Sequence, residues 1–215
     1  MKTKQEKLWE GRFGDEYAVR NGRTPADRDR LNKQYFGITR TTLNKEFLNF
    51  LPRDIKILEV GVNTGLQCAL LKKMGFKNFY GIDINEKALV QARKNGVQTI
   101  LASALDIPFK DGYFDLVMTN GLLIHIAPDN LPSVLNEIIR VCNPDGYIYI
   151  YEYTAPVCTP INYHGRKGYL WANDFPFLFS RQRRDIALVS SRVLKYKKSK
   201  QHDIIALLKR GEYRG

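Results

Sequence analysis

A turn bounded by two glycines lies between an apolar run and a helix-like segment. Residues 55–60 are largely apolar, residues 61–65 read Gly-Val-Asn-Thr-Gly, and residues 66–71 favour a helix. The apolar run is typical of a strand buried on both faces. Glycine at 61 and 65 permits positive φ angles and lets main-chain N–H groups approach a ligand at the start of the helix. The pattern predicts a ligand site formed by Gly61, Asn63 and Gly65.

A second apolar run, residues 79–82, is followed by the carboxylate of Asp83, 18 positions after Gly65. A carboxylate at the end of the second strand of a βαβ unit accepts hydrogen bonds from ribose hydroxyls. The two features together predict a nucleotide cofactor. A dinucleotide fingerprint requires glycine where Asn63 and Leu66 stand, which favours a cofactor without a pyrophosphate.

Strand-like and helix-like segments alternate through the middle of the chain. Strands are predicted at residues 55–60, 78–84, 99–102, 114–119 and 147–153, and the clearest helix at residues 131–142. This alternation is typical of a parallel α/β sheet. Two later apolar runs, residues 186–196 and 204–208, predict an antiparallel hairpin at the sheet edge.

Three successive motifs resemble those of class I S-adenosylmethionine-dependent methyltransferases. They are Glu59-x-Gly61-x-Asn63-x-Gly65, Asp83 and residues 114–126, with Asn63 in the place of the usual middle glycine. The resemblance implies S-adenosylmethionine as cofactor. Combined with the segment pattern, it predicts an α/β fold with a Rossmann-like, doubly wound, mostly parallel sheet, a C-terminal antiparallel hairpin and an N-terminal helical cap.

A narrower resemblance is to the pseudaminic acid biosynthesis-associated methylases. Residues 6–21, 61–65, 121–128 and 151–175 carry it. It implies a sugar-modifying context but not the acceptor atom. We expect methylation, at oxygen, of a surface-glycan sugar of the nonulosonic acid type or of its nucleotide-activated precursor. The expected partner is therefore a small acidic molecule.

Residues 1–53 do not share the alternation of strand-like and helix-like segments. We predict that they form a helical cap before a methyltransferase domain at residues 54–215. In the resembling family this region covers the methionine end of the cofactor, so Trp9, Tyr17 and Arg20 are candidates to close the pocket. Alternatively, the spacing of Trp9, Phe13 and Tyr17 by four marks the apolar face of a packing helix.

Ligands of open α/β sheets bind at the carboxyl ends of the strands, so the residues that follow each strand are the candidates for cofactor binding. Ser103 stands where an Asp often faces the adenine in the resembling family. The predicted cofactor residues are Tyr17, Arg20, Glu59, Gly61, Asn63, Gly65, Asp83, Ile84, Ser103, Ala104, Leu105 and Asn120.

Methyl transfer to a hydroxyl needs alignment and removal of a proton. The candidate bases are His125, Glu152 and His164, although a lone histidine in an apolar stretch is also a common core residue. The aromatic segment from residue 151 to 171 predicts a substrate loop. Its candidate substrate residues are Tyr153, Tyr163 and Arg166, and an Arg fork matches a carboxylate.

Composition and charge limit the partners and the cellular location that we expect. The formal net charge of +12 permits an RNA or DNA methyltransferase, but the exit of the fourth strand lacks the Asn/Asp-Pro-Pro-aromatic motif of enzymes that methylate base nitrogens. Three scattered cysteines and a polar N-terminus predict a cytoplasmic protein without a metal site or a membrane-inserted segment. A catalytically silent S-adenosylmethionine-binding module also fits the sequence, and the oligomeric state stays open.

Overall fold

The computed structural model describes residues 2–20, 24–163, 165 and 167–211. Within these ranges the chain forms eight α-helices, two single-turn 3₁₀ helices (Leu123–His125 and Pro128–Asn130) and nine strands. The helices are α1 (Lys4–Glu10), α2 (Arg12–Arg20), α3 (Pro25–Phe36), α4 (Arg40–Leu48), α5 (Leu66–Lys72), α6 (Glu86–Lys94), α7 (Leu131–Val141) and α8 (Phe175–Gln182). The strands are β1 (Lys56–Val60), β2 (Asn78–Asp83), β3 (Gln98–Leu101), β4 (Phe114–Asn120), β5 (Cys142–Tyr153), β6 (Thr159–Pro160), β7 (Trp171–Ala172), β8 (Ile186–Lys195) and β9 (His202–Arg210).

Seven strands form one sheet in the order β3-β2-β1-β4-β5-β9-β8. The first five run parallel, β9 pairs antiparallel with β5, and β8 pairs antiparallel with β9. The predicted fold class is confirmed, including the C-terminal hairpin and the N-terminal helices. The strand order reverses between β1 and β4, and the crevice at such a reversal is where open α/β sheets bind ligands.

Helices cover both faces of the sheet and give two apolar cores. One core packs α7 and α8 against the sheet, with Val134, Ile138 and Phe179 fully buried. The other packs α4, α5 and α6, and includes Leu43 and Leu71. Burial on both faces explains why the parallel strands read as largely apolar runs in the sequence.

Two segments differ from the sequence-based expectation. Strand β5 begins at Cys142 rather than near residue 147, because the chain between α7 and the regular ladder follows an irregular register against β4. Asp145 takes a φ of +67° there. The loop after β5 contains the short antiparallel pair β6–β7, although the sequence there predicts irregular structure. In the described part of the chain, no helix is long and apolar enough to cross a membrane.

Candidate functional site

The turn after β1 is held in left-handed backbone by local hydrogen bonds. Gly61 and Gly65 have φ values of +69° and +72°, and Asn63 has +47°. Asparagine is one of the few L residues that adopt this region readily, which explains why it can replace a glycine here. A Cβ on Gly61 would lie 2.8 Å from Cδ1 of Leu122, so the neighbouring strand exit also requires glycine at this position.

Gly65 serves packing rather than the pocket wall. A Cβ added to it would stand 3.1 Å from Cα of Ala92 in α6 and 3.1 Å from Val97. The missing side chain thus lets α6 approach the start of α5. Gly65 is not among the residues that line the pocket described below.

Both oxygens of the Asp83 carboxylate accept main-chain N–H groups at the tip of β2. Oδ2 accepts from Asn63 at 2.8 Å, and Oδ1 accepts from Asn85 at 2.9 Å. Burial raises the pKa of Asp83, and main-chain hydrogen bonds from Asn85, Asn63 and Ile84 oppose that rise. A carboxylate offers about four lone-pair positions, so it retains capacity to accept from a ligand. Asn85, not Asp83, caps α6, because its Oδ1 accepts from the N–H of Ala88 at 2.8 Å.

A pocket opens at the carboxyl ends of β1 to β4, with about 1190 Å³ of empty space that includes open solvent. Its described lining includes the carboxyl groups of Glu6, Glu59 and Asp83, and one guanidinium, that of Arg28. The described lining thus carries more carboxyl groups than guanidinium groups, in a chain of net charge +12.

Helices α1 and α2 form a lid over this pocket. The Asn85 amide donates to the carbonyl of Trp9 at 3.1 Å and to Oδ1 of Asp15 at 2.9 Å. Lys87 also pairs with Asp15. Gly14 permits the tight α1–α2 contact, since a Cβ there would overlap the carbonyl oxygen of Trp9 at 1.8 Å. The lid is thus fixed to the tip of β2 and the start of α6.

Aromatic rings fill the side of the pocket next to the exit of β4. The Trp9 ring centroid lies 4.6 Å from that of His125 and 5.0 Å from that of Tyr17. Tyr163 lies 5.0 Å from His125 and 5.9 Å from Phe13. The apolar spacing of Trp9, Phe13 and Tyr17 therefore serves both helix packing and the pocket wall.

His125 is buried, and its tautomer follows from its partner. Nδ1 lies 3.3 Å from the carbonyl oxygen of Tyr169. Because a carbonyl oxygen only accepts, Nδ1 carries the proton and Nε2 keeps its lone pair. Burial lowers the pKa of His125 to about 4, although the hydrogen bond to Tyr169 opposes this. The imidazole is therefore neutral at physiological pH.

Two buried glutamates have different surroundings. Oε2 of Glu59 accepts a hydrogen bond from Sγ of Cys68 at 3.1 Å, and burial raises the pKa of Glu59 to about 8. Burial also raises the pKa of Glu152 to about 7. Oε1 of Glu152 accepts from the N–H of Leu122 at 3.1 Å, so this side chain holds the chain after β4 rather than lining the pocket.

A buried arginine stabilises the pocket from beneath. Arg40 in α4 is 1% exposed, and its guanidinium carbon lies 3.2 Å from the ring centroid of Tyr151. Its Nη2 donates to Oδ1 of Asn120 at 3.1 Å. This bond turns the amide nitrogen of Asn120 away from Arg40. Asn120 lines the pocket.

The structure brings most predicted site residues to one pocket. Those that line it are Tyr17, Glu59, Gly61, Asn63, Asp83, Ile84, Ser103, Ala104, Leu105, Asn120 and His125. Those outside its wall are Arg20, Gly65, Glu152, Tyr153 and Tyr163, although the Arg20 guanidinium lies 5.7 Å from the Tyr17 ring. His164 and Arg166 lie outside the described residues.

Sequence reasoning missed several residues of the pocket wall. Glu6, Gln67 and Arg28 line it, and none follows a strand of the sheet. The Thr3-x-x-Glu6 spacing signals a helix start through its capping box, but it gives no hint of a ligand site. Among the described residues, no cluster of three or more metal-ligating side chains occurs.

Residues 58–150 match the family model described as the methyltransferase domain, which is less than half of the chain. The matched stretch contains the turn at residues 61–65, Asp83 and the exit of β4. Residues 58–150 are therefore similar to a methyltransferase domain, and the predicted domain bounds of 54–215 stay a prediction.

Curated relatives match over similar lengths. Demethylmenaquinone methyltransferase of Lactobacillus johnsonii is 35% identical over 122 residues, 52% of this chain and 49% of that protein. The tRNA (carboxymethyluridine(34)-5-O)-methyltransferase of Arabidopsis thaliana is 26% identical over 110 residues, 51% of this chain and 26% of that protein. The chain thus spans about half or less of the length of these relatives.

A solved structure is similar over nearly the whole chain. It is the 1,6-didemethyltoxoflavin-N1-methyltransferase of Burkholderia thailandensis, with bound 1,6-didemethyltoxoflavin and S-adenosylhomocysteine. The two share a TM-score of 0.69 and 16% identity, over 99% of this chain and 92% of that chain. At this identity the similarity establishes the fold.

Proposed function

We propose that the chain, whose residues 58–150 form a methyltransferase domain, is an S-adenosylmethionine-dependent methyltransferase. We further propose that its acceptor is a hydroxyl of an acidic surface-glycan sugar of the nonulosonic acid type, or of its nucleotide-activated precursor. The observation that carries the proposal is the pairing, in one pocket, of an Asp83 carboxylate with free acceptor positions and a neutral histidine with a free Nε2.

The residues of the pocket fit S-adenosylmethionine. Asp83 is available to both ribose hydroxyls, and the turn at residues 61–65 brings main chain close to them without the glycines that a pyrophosphate would need. Gln67 lines the pocket with a buried Oε1 that has no partner among the described residues, and it is suited to accept from an ammonium group.

Strand order assigns the two ends of the cofactor. From Asp83 at the tip of β2, the next exit outward is that of β3, at residues 102–105. The base therefore belongs on the β3 side, and the methionine part belongs on the side of β1 and β4. Asn120, Tyr17 and Gln67 line the pocket on that second side.

When bound, S-adenosylmethionine supplies a methyl group activated by its sulfonium. His125 then has the role of general base, because Nε2 accepts the proton of the acceptor hydroxyl. The Trp9 Nε1 is buried without a partner among the described residues, and it lies on the ring that contacts His125. An acceptor oxygen satisfies this N–H while its proton faces the imidazole.

An acidic sugar is supported by groups that surround this end of the pocket. Arg28 lines it, and Arg20 lies beside Tyr17. Tyr153 and Tyr163, the other predicted substrate residues, stand behind the aromatic wall, where burial raises the pKa of both.

A planar aromatic acceptor is a second candidate. The edge-on rings of Trp9, Tyr17 and His125 line the pocket and favour a flat, apolar molecule. The names of the relatives from Lactobacillus johnsonii and Burkholderia thailandensis refer to menaquinone and toxoflavin chemistry.

One experiment decides among these candidates. The protein is incubated with cofactor labelled in the methyl group and with acidic nonulosonic sugars, their CMP conjugates, quinols, planar heterocycles and total RNA. Mass spectrometry then locates the label. We expect label on a sugar oxygen. Label on a ring compound selects the second candidate, and label on RNA overturns both. Tight cofactor binding with no transfer to any fraction indicates a silent binding module.

A further inference from the structure

The lid helix α1 places a carboxylate at the exit of β3. Oε1 of Glu6 accepts a hydrogen bond from the hydroxyl of Ser103 at 2.5 Å, across 97 positions of sequence. Oε2 of Glu6 accepts from the main-chain N–H of Thr3 at 2.7 Å. The carboxylate lines the pocket, and each oxygen retains a further lone-pair position.

This place is the base end of the proposed cofactor site. The other lining residues of the β3 exit are Ala102, Ala104 and Leu105, which offer apolar surface. The Ser103 hydroxyl donates its hydrogen bond to Glu6, and its oxygen accepts from the N–H of Leu105 at 3.1 Å. Among the described lining residues of this exit, Glu6 therefore supplies the charged acceptor.

Burial pushes the pKa of Glu6 upward, but hydrogen bonds from Ser103 and Thr3 outweigh this effect and leave its pKa below the usual value. An ionised carboxylate requires hydrogen-bond donors. Adenine presents one strong donor group, its exocyclic amine, whereas a base with a carbonyl oxygen at the same position would face the carboxylate with an acceptor.

We propose that Glu6 accepts a hydrogen bond from the exocyclic amine of the adenine and is the residue that selects the base of the cofactor. This inference rests on the proposed binding of S-adenosylmethionine. It places base recognition on the lid rather than on the sheet, so a bound adenine ties α1 to the exit of β3.

The test compares two ligands on three proteins. S-adenosylhomocysteine carries the amine, and S-inosylhomocysteine carries a carbonyl oxygen in its place. Calorimetry measures both affinities for the unchanged protein, for Glu6→Gln and for Glu10→Gln. Glutamine is accepted at this position of a capping box, so Glu6→Gln preserves the start of α1. Glu10 lies on the same helix, where it pairs with Lys2, and it does not line the pocket.

Because a hydrogen bond to a charged group is worth about tenfold or more in affinity, we expect the unchanged protein to prefer the adenosyl ligand by at least roughly that factor. Glu6→Gln is expected to reduce the preference severalfold, since the glutamine amide donates to the carbonyl of the inosyl ligand. Glu10→Gln retains the preference. An equal preference in the unchanged protein and Glu6→Gln overturns the inference. Failure of the unchanged protein to bind either ligand overturns the proposed function instead.

Discussion

The two halves of the pocket are constructed in different ways. The cofactor half, residues 59–65, 82–85 and 102–105, is organised by main-chain hydrogen bonds between neighbouring strand tips, with Asp83 at their centre. The acceptor half, Trp9, Tyr17 and His125, consists of side-chain rings from separate segments, with Tyr163 behind them. The strand-tip main chain is set by local sequence, whereas the rings come from segments far apart in the chain. We therefore expect the ligand of the first half, the proposed cofactor, to be predictable from local motifs, and the ligand of the second half not to be.

The strongest test changes His125 in the acceptor half, where we expect catalysis to fall and cofactor binding to stay unchanged. Replacing His125 with glutamine removes the base but keeps a polar side chain of similar size. Because a positioned base contributes about 10²–10⁴-fold, we expect kcat to fall by about that factor. Cofactor affinity stays unchanged, because His125 belongs to the acceptor half. Steady-state kinetics and calorimetry measure the two quantities. His202→Gln, in β9, is the control. A kcat close to that of the unchanged protein would exclude His125 as the base.

The second effect belongs to the cofactor half. Asp83→Ala removes an acceptor for the ribose hydroxyls, and a hydrogen bond to a charged group is worth about 1.5–3 kcal/mol, or roughly tenfold to a hundredfold in affinity. Isothermal calorimetry with S-adenosylhomocysteine measures the loss. Asp54→Ala changes an exposed carboxylate before β1, at the opposite edge of the sheet, and serves as the control. Unchanged affinity for Asp83→Ala would show that this carboxylate does not bind the ribose.

The pH dependence of kcat/KM tests which side chain in or near the acceptor half takes the proton. The His125 pKa is lowered to about 4, so its free base is fully present above that value and is lost only as the pH falls through it. We therefore expect a rate that is flat between about pH 6 and about pH 8. Glu152, whose pKa is raised to about 7, would instead give about a tenfold loss per pH unit below that value. A rate rising through pH 7 would favour Glu152.

The smallest expected effect concerns the basic surface outside both halves. Residues 195–200 contain four lysines. Contacts to six or more phosphates would weaken RNA binding about 10³-fold or more between about 50 and about 200 mM salt. We expect no such slope in an electrophoretic RNA-binding assay, and we expect Lys198→Gln to leave methyl transfer unchanged. A steep slope that this substitution reduces would assign the surface to nucleic acid.

The contrast between the two halves also explains which residues of the site can be predicted from the sequence. The strands, the turn at residues 61–65 and Asp83 follow from local patterns, because apolar runs, glycines and spacing are properties of short segments. Glu6 and Arg40 could not be found in this way, since each reaches its partner across 80 or more positions. Only the packing of the N-terminal helices brings them to the strand exits. The roles of Glu152 and Tyr153 as site residues stay predictions, and the structure places both behind the pocket wall.

Asn85 connects the lid to the body of the protein through both ends of one amide. Its oxygen holds the first turn of α6, and its nitrogen holds Trp9 and Asp15. We expect release of a ligand beneath α1 and α2 to break the nitrogen contacts while the oxygen contact survives. If the pocket binds S-adenosylmethionine as proposed, substitution at position 85 is then expected to change the lifetime of the spent cofactor on the protein without changing which molecule is methylated.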